Sequence, residues 1–343
     1  MHEECNCQEP CSYFVFICVG EFKLLGPSMV TVKTLGQTVS GIKINTNEVV
    51  EMVLHTSLER LSWSNWDHDF NVEGSRAVNL NNISHPWTVI SGGFNTPDGL
   101  AVDWVANNLY WTDAGRKVIE VAMVNGTNRM ILISERLVEP RAIAVFPEKG
   151  MLFWTDWGGN NSNNNKSKIE RSYLDGSERK ILVNTDIGWP NGLTIDYKGE
   201  RIYWNDANRD TIETSDLNGN NRAVLVRRVP RPFGLTQLGP YIYWTDWEKM
   251  SIERADKNSG KKKETIRSGI QGIMDIKAIA SDVQRGNNPC SIQNGGCSHL
   301  CLYTPTGARC ACPDIPTSKP CTKAWLGDYW GSSGAGRPRR AAE

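Results

Sequence analysis

The chain repeats a four-residue pattern: an aromatic residue, then Trp, then either Thr or Asn, and finally Asp. The four clear copies occupy residues 110–113, 153–156, 203–206 and 243–246. Their tryptophans lie 43, 50 and 40 residues apart, and a degenerate fifth copy at residues 61–65 lies one interval earlier. Self-similarity at this period is the signature of folds that stack one structural unit several times. The repeat therefore restricts the architecture before any other feature does.

The surroundings of the tetrapeptide repeat as well, so the unit is longer than four residues. Each clear copy is preceded by a Pro-x-Gly/Ala-Leu/Ile segment, at residues 97–100, 140–143, 190–193 and 232–235. An Ile-Glu pair follows it, at residues 119–120, 169–170, 212–213 and 252–253, and three units continue into an Asn-Gly or Asp-Gly turn. Alternating apolar residues and such turns predict antiparallel hairpins. Four strands in 40–50 residues predict one blade of a β-propeller.

The number of blades follows from one further segment. Residues 273–279 lie where a sixth unit begins, but no tetrapeptide follows them. The apolar N-terminal segments 13–19 and 29–34 are the material available to complete that blade. We therefore predict an all-β fold, a six-bladed YWTD β-propeller, in which the two ends of the chain pair to close the ring.

The tetrapeptide itself is expected to have a structural role, because the same residues recur in every unit. Its aromatic rings are expected to fill the space between blades, and its Asp to accept hydrogen bonds that tie one blade to the next. A binding function is expected where the repeats differ.

The cysteines are confined to the two ends of the chain. Cys5, Cys7, Cys11 and Cys18 lie at the start, and six more follow the spacing C-x6-C-x3-C-x8-C-x-C-x8-C from residue 290 to residue 321. A segment this short needs cross-links, and six cysteines allow fifteen pairings. A zinc site is the alternative, which the lack of a C-x2-C pair disfavours.

These features divide the chain into four parts. Residues 1–12 fit a remnant of a preceding cysteine-rich module, 13–285 the propeller, 286–321 a small disulfide-rich module, and 322–343 a tail expected to be disordered. No signal peptide is evident, since acidic Glu3 and Glu4 precede the apolar run. No run reaches the ~20 apolar residues of a membrane span. The balanced charge, 38 basic against 38 acidic residues, gives no reason to expect nucleic acid as a partner.

The repeats and the cysteine module together resemble the low-density lipoprotein receptor family, and within it the Wnt co-receptors, LDL-receptor-related proteins 5 and 6 and insect Arrow. The stretches that carry this resemblance are residues 97–115, 139–158, 188–197, 231–247 and 288–313. The resemblance implies an extracellular propeller followed by an EGF-like module. An EGF-like module implies the pairs Cys290–Cys301, Cys297–Cys310 and Cys312–Cys321. Residues 286–289 lack the acidic residues of calcium-binding EGF modules, so no metal is expected.

The variable residue of each Pro-x-Gly segment is expected at the rim of the central channel. Aromatic and charged neighbours would extend this rim into a ligand-binding face, because aromatic anchors with a few polar groups dominate protein interfaces. The candidate residues are Asp98, Glu120, Arg141, Trp189, Asn191, Arg231, Phe233, Trp247 and Met274.

The resemblance implies secreted protein ligands on this face: Wnt proteins, and Dickkopf or sclerostin-type antagonists that present an Asn-containing loop. Frizzled would join as a third partner in a ternary complex. The alternatives are an endocytic lipoprotein receptor and a matrix-binding propeller of the nidogen type. An enzyme is not expected, because no nucleophile elbow or metal-ligand spacing occurs, and no cofactor is expected. In an exported protein, four sequons would be glycosylation candidates: Asn82, Asn125, Asn160 and Asn165.

Overall fold

The computed structural model describes residues 82–159, 166–270, 273–279, 284–318 and 320–321, together with seven earlier strands. Side chains are described from residue 88 onward within these ranges, except at residue 279. The predictions for residues 1–12, for Asn160 and Asn165, and for the tail 322–343 lie outside the described residues, as does the side chain of Asn82.

Four-stranded antiparallel sheets follow one another along the chain, and each is one blade. Blade 1 consists of β5 (Val49–His55), β6 (Arg60–Asn65), β7 (Gly74–Asn79) and β8 (Asn82–Ser91). Blade 2 consists of β9 (Pro97–Asp103), β10 (Asn108–Asp113), β11 (Val118–Met123) and β12 (Met130–Ile133). Blade 3 consists of β13 (Pro140–Phe146), β14 (Met151–Asp156), β15 (Lys168–Tyr173) and β16 (Lys180–Val183). Blade 4 consists of β17 (Pro190–Asp196), β18 (Arg201–Asp206), β19 (Thr211–Asp216) and β20 (Ala223–Arg227). Blade 5 consists of β21 (Pro232–Leu238), β22 (Tyr241–Asp246), β23 (Ser251–Asp256) and β24 (Glu264–Arg267).

Blade 6 is built from both ends of the chain. Its first strand is β25 (Ile273–Ile279), which pairs with β1 (Tyr13–Cys18), and β1 in turn pairs with β2 (Glu21–Leu25). The expected pairing of the chain ends is therefore found, although β1 runs parallel to β25. The second segment expected in this blade instead forms a separate two-stranded sheet, β3 (Val30–Thr34) with β4 (Gln37–Ile42).

The ring is closed by the first strands of the blades. Each of β5, β9, β13, β17, β21 and β25 contacts the next, and β25 contacts β5. The glycine of the Pro-x-Gly segment allows this close approach. A Cβ on Gly99 would lie 2.3 Å from the carbonyl oxygen of Arg141, and one on Gly192 would lie 2.6 Å from that of Phe233. A larger residue there would push neighbouring blades apart.

The aromatic residues of the tetrapeptide fill the space between blades, as expected. Tyr110 packs in one cluster with Trp154 of the next blade, Phe153 with Trp204, and Tyr203 with Trp244. The four tetrapeptide tryptophans are buried. Each blade thus completes the core of its neighbour, which explains why a single blade would not be stable.

The Asp of the tetrapeptide binds the segment that leads from the preceding blade into its own. Asp113 accepts hydrogen bonds from the N–H groups of Asn95, Thr96 and Arg116, and so fixes the connection that enters blade 2. The Thr makes the link between blades: Thr112 Oγ1 accepts from Gly99 N at 2.7 Å and donates to Arg141 O at 2.6 Å.

The small C-terminal module is cross-linked as the resemblance implied, by Cys290–Cys301, Cys297–Cys310 and Cys312–Cys321. It contains β26 (Leu300–Thr304), β27 (Gly307–Ala311) and the 3-10 helices Pro289–Ser291 and Gln293–Gly296. A further 3-10 helix, Pro147–Lys149, lies in blade 3. Leu300 and Leu302 are buried among residues of blades 2 and 3. The module is therefore packed onto the propeller.

Candidate ligand-binding face

The variable residues of the Pro-x-Gly segments form a connected arc, which we call the rim face. At one end, the Arg141 guanidinium forms an ion pair with Asp98 and another with Glu139 at 3.2 Å. The same guanidinium lies 4.0 Å from the ring centre of Trp157. Arg141 is therefore held in a fixed position beside an aromatic surface, and the two carboxylates balance its charge.

Two tryptophans continue the arc. The rings of Trp157 and Trp189 are stacked with centres 6.4 Å apart, and Trp157 Nε1 donates to Pro190 O at 3.1 Å. Trp189 is 43% exposed. Sequence reasoning selected Trp189 but missed Trp157. Its position directly after a tetrapeptide, equivalent to that of Trp247, was the signal available.

A second aromatic pair lies on blade 5. Phe233 and Trp247 are stacked with ring centres 4.7 Å apart, and Trp247 is 46% exposed. The backbone N–H of Trp247 donates to the backbone carbonyl of Arg231. The side chain of Arg231 is exposed. Large aromatic rings that are stacked on each other and exposed to solvent provide a rigid contact surface.

Asn191 lies between the two aromatic pairs along the chain. Its Nδ2 donates to Pro232 O at 2.8 Å, whereas its Oδ1 is buried with no partner among the described residues. Met274 reaches the arc through its carbonyl, which accepts from Thr245 at 2.7 Å. Its side chain is half-buried. The structure thus brings together most of the residues selected from the sequence.

Glu120 is the exception, and its selection for the rim face was wrong. Its side chain is buried and binds Arg129 at 2.6 Å, Arg116 at 2.9 Å and Trp111 Nε1 at 3.0 Å. The equivalent Glu170 and Glu213 are also buried and paired with arginines. A group that recurs with the same partners in several blades belongs to the core, so Glu120 is not accessible to a ligand.

A small cavity lies among the first strands of blades 2 to 6. The cavity has a volume of about 30 Å³ and is lined by residues that include Asp98, Asn191, Phe233, Asp275 and Lys277. Burial raises the pKa of Asp275, and Lys277 Nζ lies 3.0 Å from its carboxylate. Small-molecule sites usually enclose ~300 Å³ or more. The cavity has room for a few waters, so it does not suggest a catalytic pocket.

Two further properties concern the described part of the chain. It holds no group of three or more His, Cys, Asp or Glu side chains arranged to bind a metal ion. None of its helices is long and apolar enough to cross a membrane.

The ring of blades, the packed disulfide module and the aromatic rim define a receptor-type propeller module. The profile of the family described as "Low-density lipoprotein receptor repeat class B" matches residues 107–147 and 150–197. The profile described as "Coagulation Factor Xa inhibitory site" matches residues 290–314. The chain belongs to the low-density lipoprotein receptor-related protein family, as its similarity to human members shows.

Two human relatives carry this assignment. The chain is 40% identical to "Low-density lipoprotein receptor-related protein 5-like protein" over 227 residues, which cover 66% of this chain and 87% of that protein. It is 56% identical to "Low-density lipoprotein receptor-related protein 4" over 247 residues, which cover 72% of this chain but only 13% of that protein. The second relative is therefore far longer than the matched region.

Solved structures agree on the fold. A chain in the crystal structure of a nidogen–laminin complex superposes with a TM-score of 0.60 at 27% identity, covering 73% of this chain and 89% of that one. A gluconolactonase from Xanthomonas campestris gives a TM-score of 0.54 at 16% identity, covering 66% and 78%. The second similarity shows the fold alone.

Proposed function

We propose that the chain is an extracellular ligand-binding module that binds a secreted protein on its rim face. The observation that carries the proposal is the pair of stacked aromatic platforms, each with one widely exposed tryptophan. Exposed aromatic anchors are among the features that dominate protein–protein binding energies. We further propose that the propeller spans residues 13–285 and the EGF-like module residues 286–321.

The ligands we propose are Wnt proteins and secreted antagonists of the Dickkopf or sclerostin type, with Frizzled as a third partner. The relationship to human receptor-related proteins 5-like and 4 supports this class of ligand. An extended loop of the ligand would lie across Trp189 and Trp247. The half-buried side chain of Asn191 would contact the same loop, and its Oδ1, which has no partner among the described residues, would accept a hydrogen bond once the side chain turns toward the ligand.

Binding of the purified chain to a Wnt and to a Dickkopf-type protein tests this proposal. Trp189→Ala and Asn191→Ala are each expected to weaken binding about tenfold or more, because hot-spot truncations have effects of this size. Ile181→Ala is the matched control: Ile181 is 47% exposed, like Trp189, but lies on the outer strand of blade 3. Binding that survives both rim substitutions would contradict the rim face.

A matrix-binding function is the second candidate. The similarity to a chain of the nidogen–laminin complex favours it. The sequence identity to that chain, 27%, is higher than the 16% identity to the gluconolactonase. The same variants, tested against laminin in place of a Wnt, distinguish the two functions: laminin binding without Wnt or Dickkopf binding would support the matrix function.

We also propose that Asn125 carries a glycan. It is exposed in the β11–β12 hairpin, where Thr127 Oγ1 donates to Asn125 Oδ1 at 2.7 Å. Both the wild type and Asn125→Gln would be secreted from animal cells and treated with a glycosidase that removes N-linked glycans. The wild type should lose the mass of one glycan more than the variant. Equal losses would contradict the assignment.

A further inference from the structure

The outer edge of blade 2 is capped by one residue of the C-terminal module. Asp314 N donates to Arg129 O at 3.1 Å, and its carboxylate oxygen Oδ2 accepts from Ile131 N at 2.6 Å. A single aspartate, which lies in a bend of the chain, thus satisfies a donor of the edge strand β12 and an acceptor of the residue before it. Open edge groups otherwise form a template for another chain.

Blade 4 presents the same edge without a cap. Val224 pairs with Glu213 directly after a β-bulge, and Ile131 pairs with Glu120 in the same way in blade 2. Val224 is therefore the equivalent of Ile131. The N–H of Val224 therefore points away from β19. No described residue is found bonded to this N–H or to the carbonyl of Arg222, two residues earlier. Val224 is 37% exposed, so the edge is accessible.

The charges around this edge are positive. Arg227 and Arg228 are exposed at the end of β20, and the stretch 223–228 contains no acidic residue. The next hairpin, which carries Lys261 and Lys262, packs against β20, since a Cβ on Gly260 would lie 1.9 Å from Leu225 O.

The equivalent edges of the neighbouring blades differ in carrying a glutamate beside or within the edge strand, which the edge of blade 4 lacks. Blade 3 has exposed Glu178 beside Arg179, and blade 5 has Glu264, half-exposed and paired with Arg254, next to Thr265. An anionic segment would therefore meet a repelling carboxylate at the edges of blades 3 and 5 but not at that of blade 4.

We propose that the outer edge of blade 4 binds an aspartate-containing acidic segment of a partner protein. The aspartate N–H would donate to Arg222 O and its carboxylate would accept from Val224 N, as Asp314 does on blade 2. Arg227, Arg228 and the Lys261–Lys262 hairpin would bind the flanking acidic residues. This surface lies on the outside of the ring and is separate from the rim face.

A peptide that copies the chain's own cap is the probe. It has the sequence of residues 310–316 with both cysteines replaced by serine, and two glutamates added at each end. Fluorescence anisotropy measures its binding to the full chain. Replacing its aspartate by asparagine should weaken binding about tenfold, because the Val224 N–H would then donate to a neutral amide oxygen in place of a carboxylate, and the protein itself is unchanged.

Two protein variants locate the site. Val224→Pro removes the edge donor and should weaken binding about tenfold. Ile181→Pro makes the same change on blade 3 and should have no effect. The double variant Arg227→Glu, Arg228→Glu should abolish binding without altering the backbone edge.

The proposal fails if the aspartate and asparagine peptides bind equally, or if the Val224 and Ile181 variants behave alike. A sulfated polysaccharide is the competing ligand for the same cations. Binding of heparin that is lost on charge reversal but retained in Val224→Pro, without any peptide binding, would assign the surface to a polysaccharide instead.

Discussion

Asp103, at the end of β9, has only half of its carboxylate hydrogen-bonded. Its Oδ1 accepts from Val105 N at 2.9 Å and Ala106 N at 3.0 Å. Neither its Oδ2 nor the Oδ1 of Asn108, opposite it on β10, has a partner among the described residues. Burial raises the pKa of Asp103 to about 6, although the two backbone bonds oppose this. When protonated, the Asp103 carboxyl has an O–H that can donate a hydrogen bond, and the Oδ1 of Asn108 opposite it is an acceptor without a partner among the described residues.

We predict that Asp103→Asn stabilises the protein at pH 8 but not at pH 4. The pKa of Asp103 is higher in the folded than in the unfolded chain, so the folded state binds the proton more tightly. This carboxyl therefore destabilises the fold above pH 6, and the effect disappears as the pH falls below about 4. A shift of two pKa units corresponds to about 3 kcal/mol. Urea unfolding of both proteins between pH 4 and pH 8 measures the difference.

Asp256→Asn is the control with the opposite sign. Hydrogen bonds from Ser259 lower the pKa of that exposed carboxyl, so its stabilising effect is present near neutral pH and is lost in acid. A stability difference for Asp103→Asn that does not change between pH 4 and pH 8 would contradict a raised pKa.

At the scale of the structural elements, the tetrapeptide threonine makes the contact that joins consecutive blades. Thr112 bonds both to its own blade and to Arg141 O of the next, and Thr245 likewise bonds to Gly234 N and Met274 O. Thr155 accepts from Ala142 N at 3.1 Å, but no described residue accepts a bond from it. The repeats are therefore not equivalent in this link.

We predict that Thr112→Val destabilises the propeller more than Thr155→Val. Both side chains are fully buried and the substitution preserves their shape. The first variant leaves a buried N–H and a carbonyl without partners, which should lower the free energy of unfolding by about 2–3 kcal/mol, against about 1 kcal/mol for the second. Denaturant unfolding curves that have equal slopes allow the free energies of unfolding of the two variants to be compared. Equal losses of unfolding free energy in both variants would contradict the prediction.

The repeat pattern predicted the blades because hairpin turns and period-two alternation are local properties of the chain. The number of blades and the pairing of β1 with β25 also followed, since one segment was left over at each end. The roles of single polar residues did not follow. Glu120 is buried because Arg129, nine residues later, folds back onto it, and Trp157 belongs to the rim because it stacks on Trp189, 32 residues away. Such contacts depend on how strands twist past one another, which the pattern does not encode.

At the scale of the whole molecule, the C-terminal module is part of the same folded unit as blades 2 and 3. Asn108 Nδ2 donates to Cys301 O and Asn288 Nδ2 donates to Pro147 O, each at 2.9 Å and each buried. Trp104 Nε1 adds a bond to Arg285 O at 2.9 Å. These bonds connect the disulfide Cys290–Cys301 directly to the propeller, whereas Cys312 and Cys321 are only half-buried.

We predict that the two outer disulfides of the module differ in their effect on the propeller. Replacing Cys290 and Cys301 by serine should speed amide exchange not only in β26 but also at residues 104–108 and 147–150. The two serines would bring polar groups into the cluster that packs on Ala106, and the position of the Cys301 carbonyl would no longer be held. Replacing Cys312 and Cys321 should leave exchange at 104–108 and 147–150 unchanged. Hydrogen exchange followed by mass spectrometry gives both measurements. If neither pair alters exchange at residues 104–108 and 147–150, the buried bonds to Cys301 and Pro147 do not couple the disulfides of the module to the propeller.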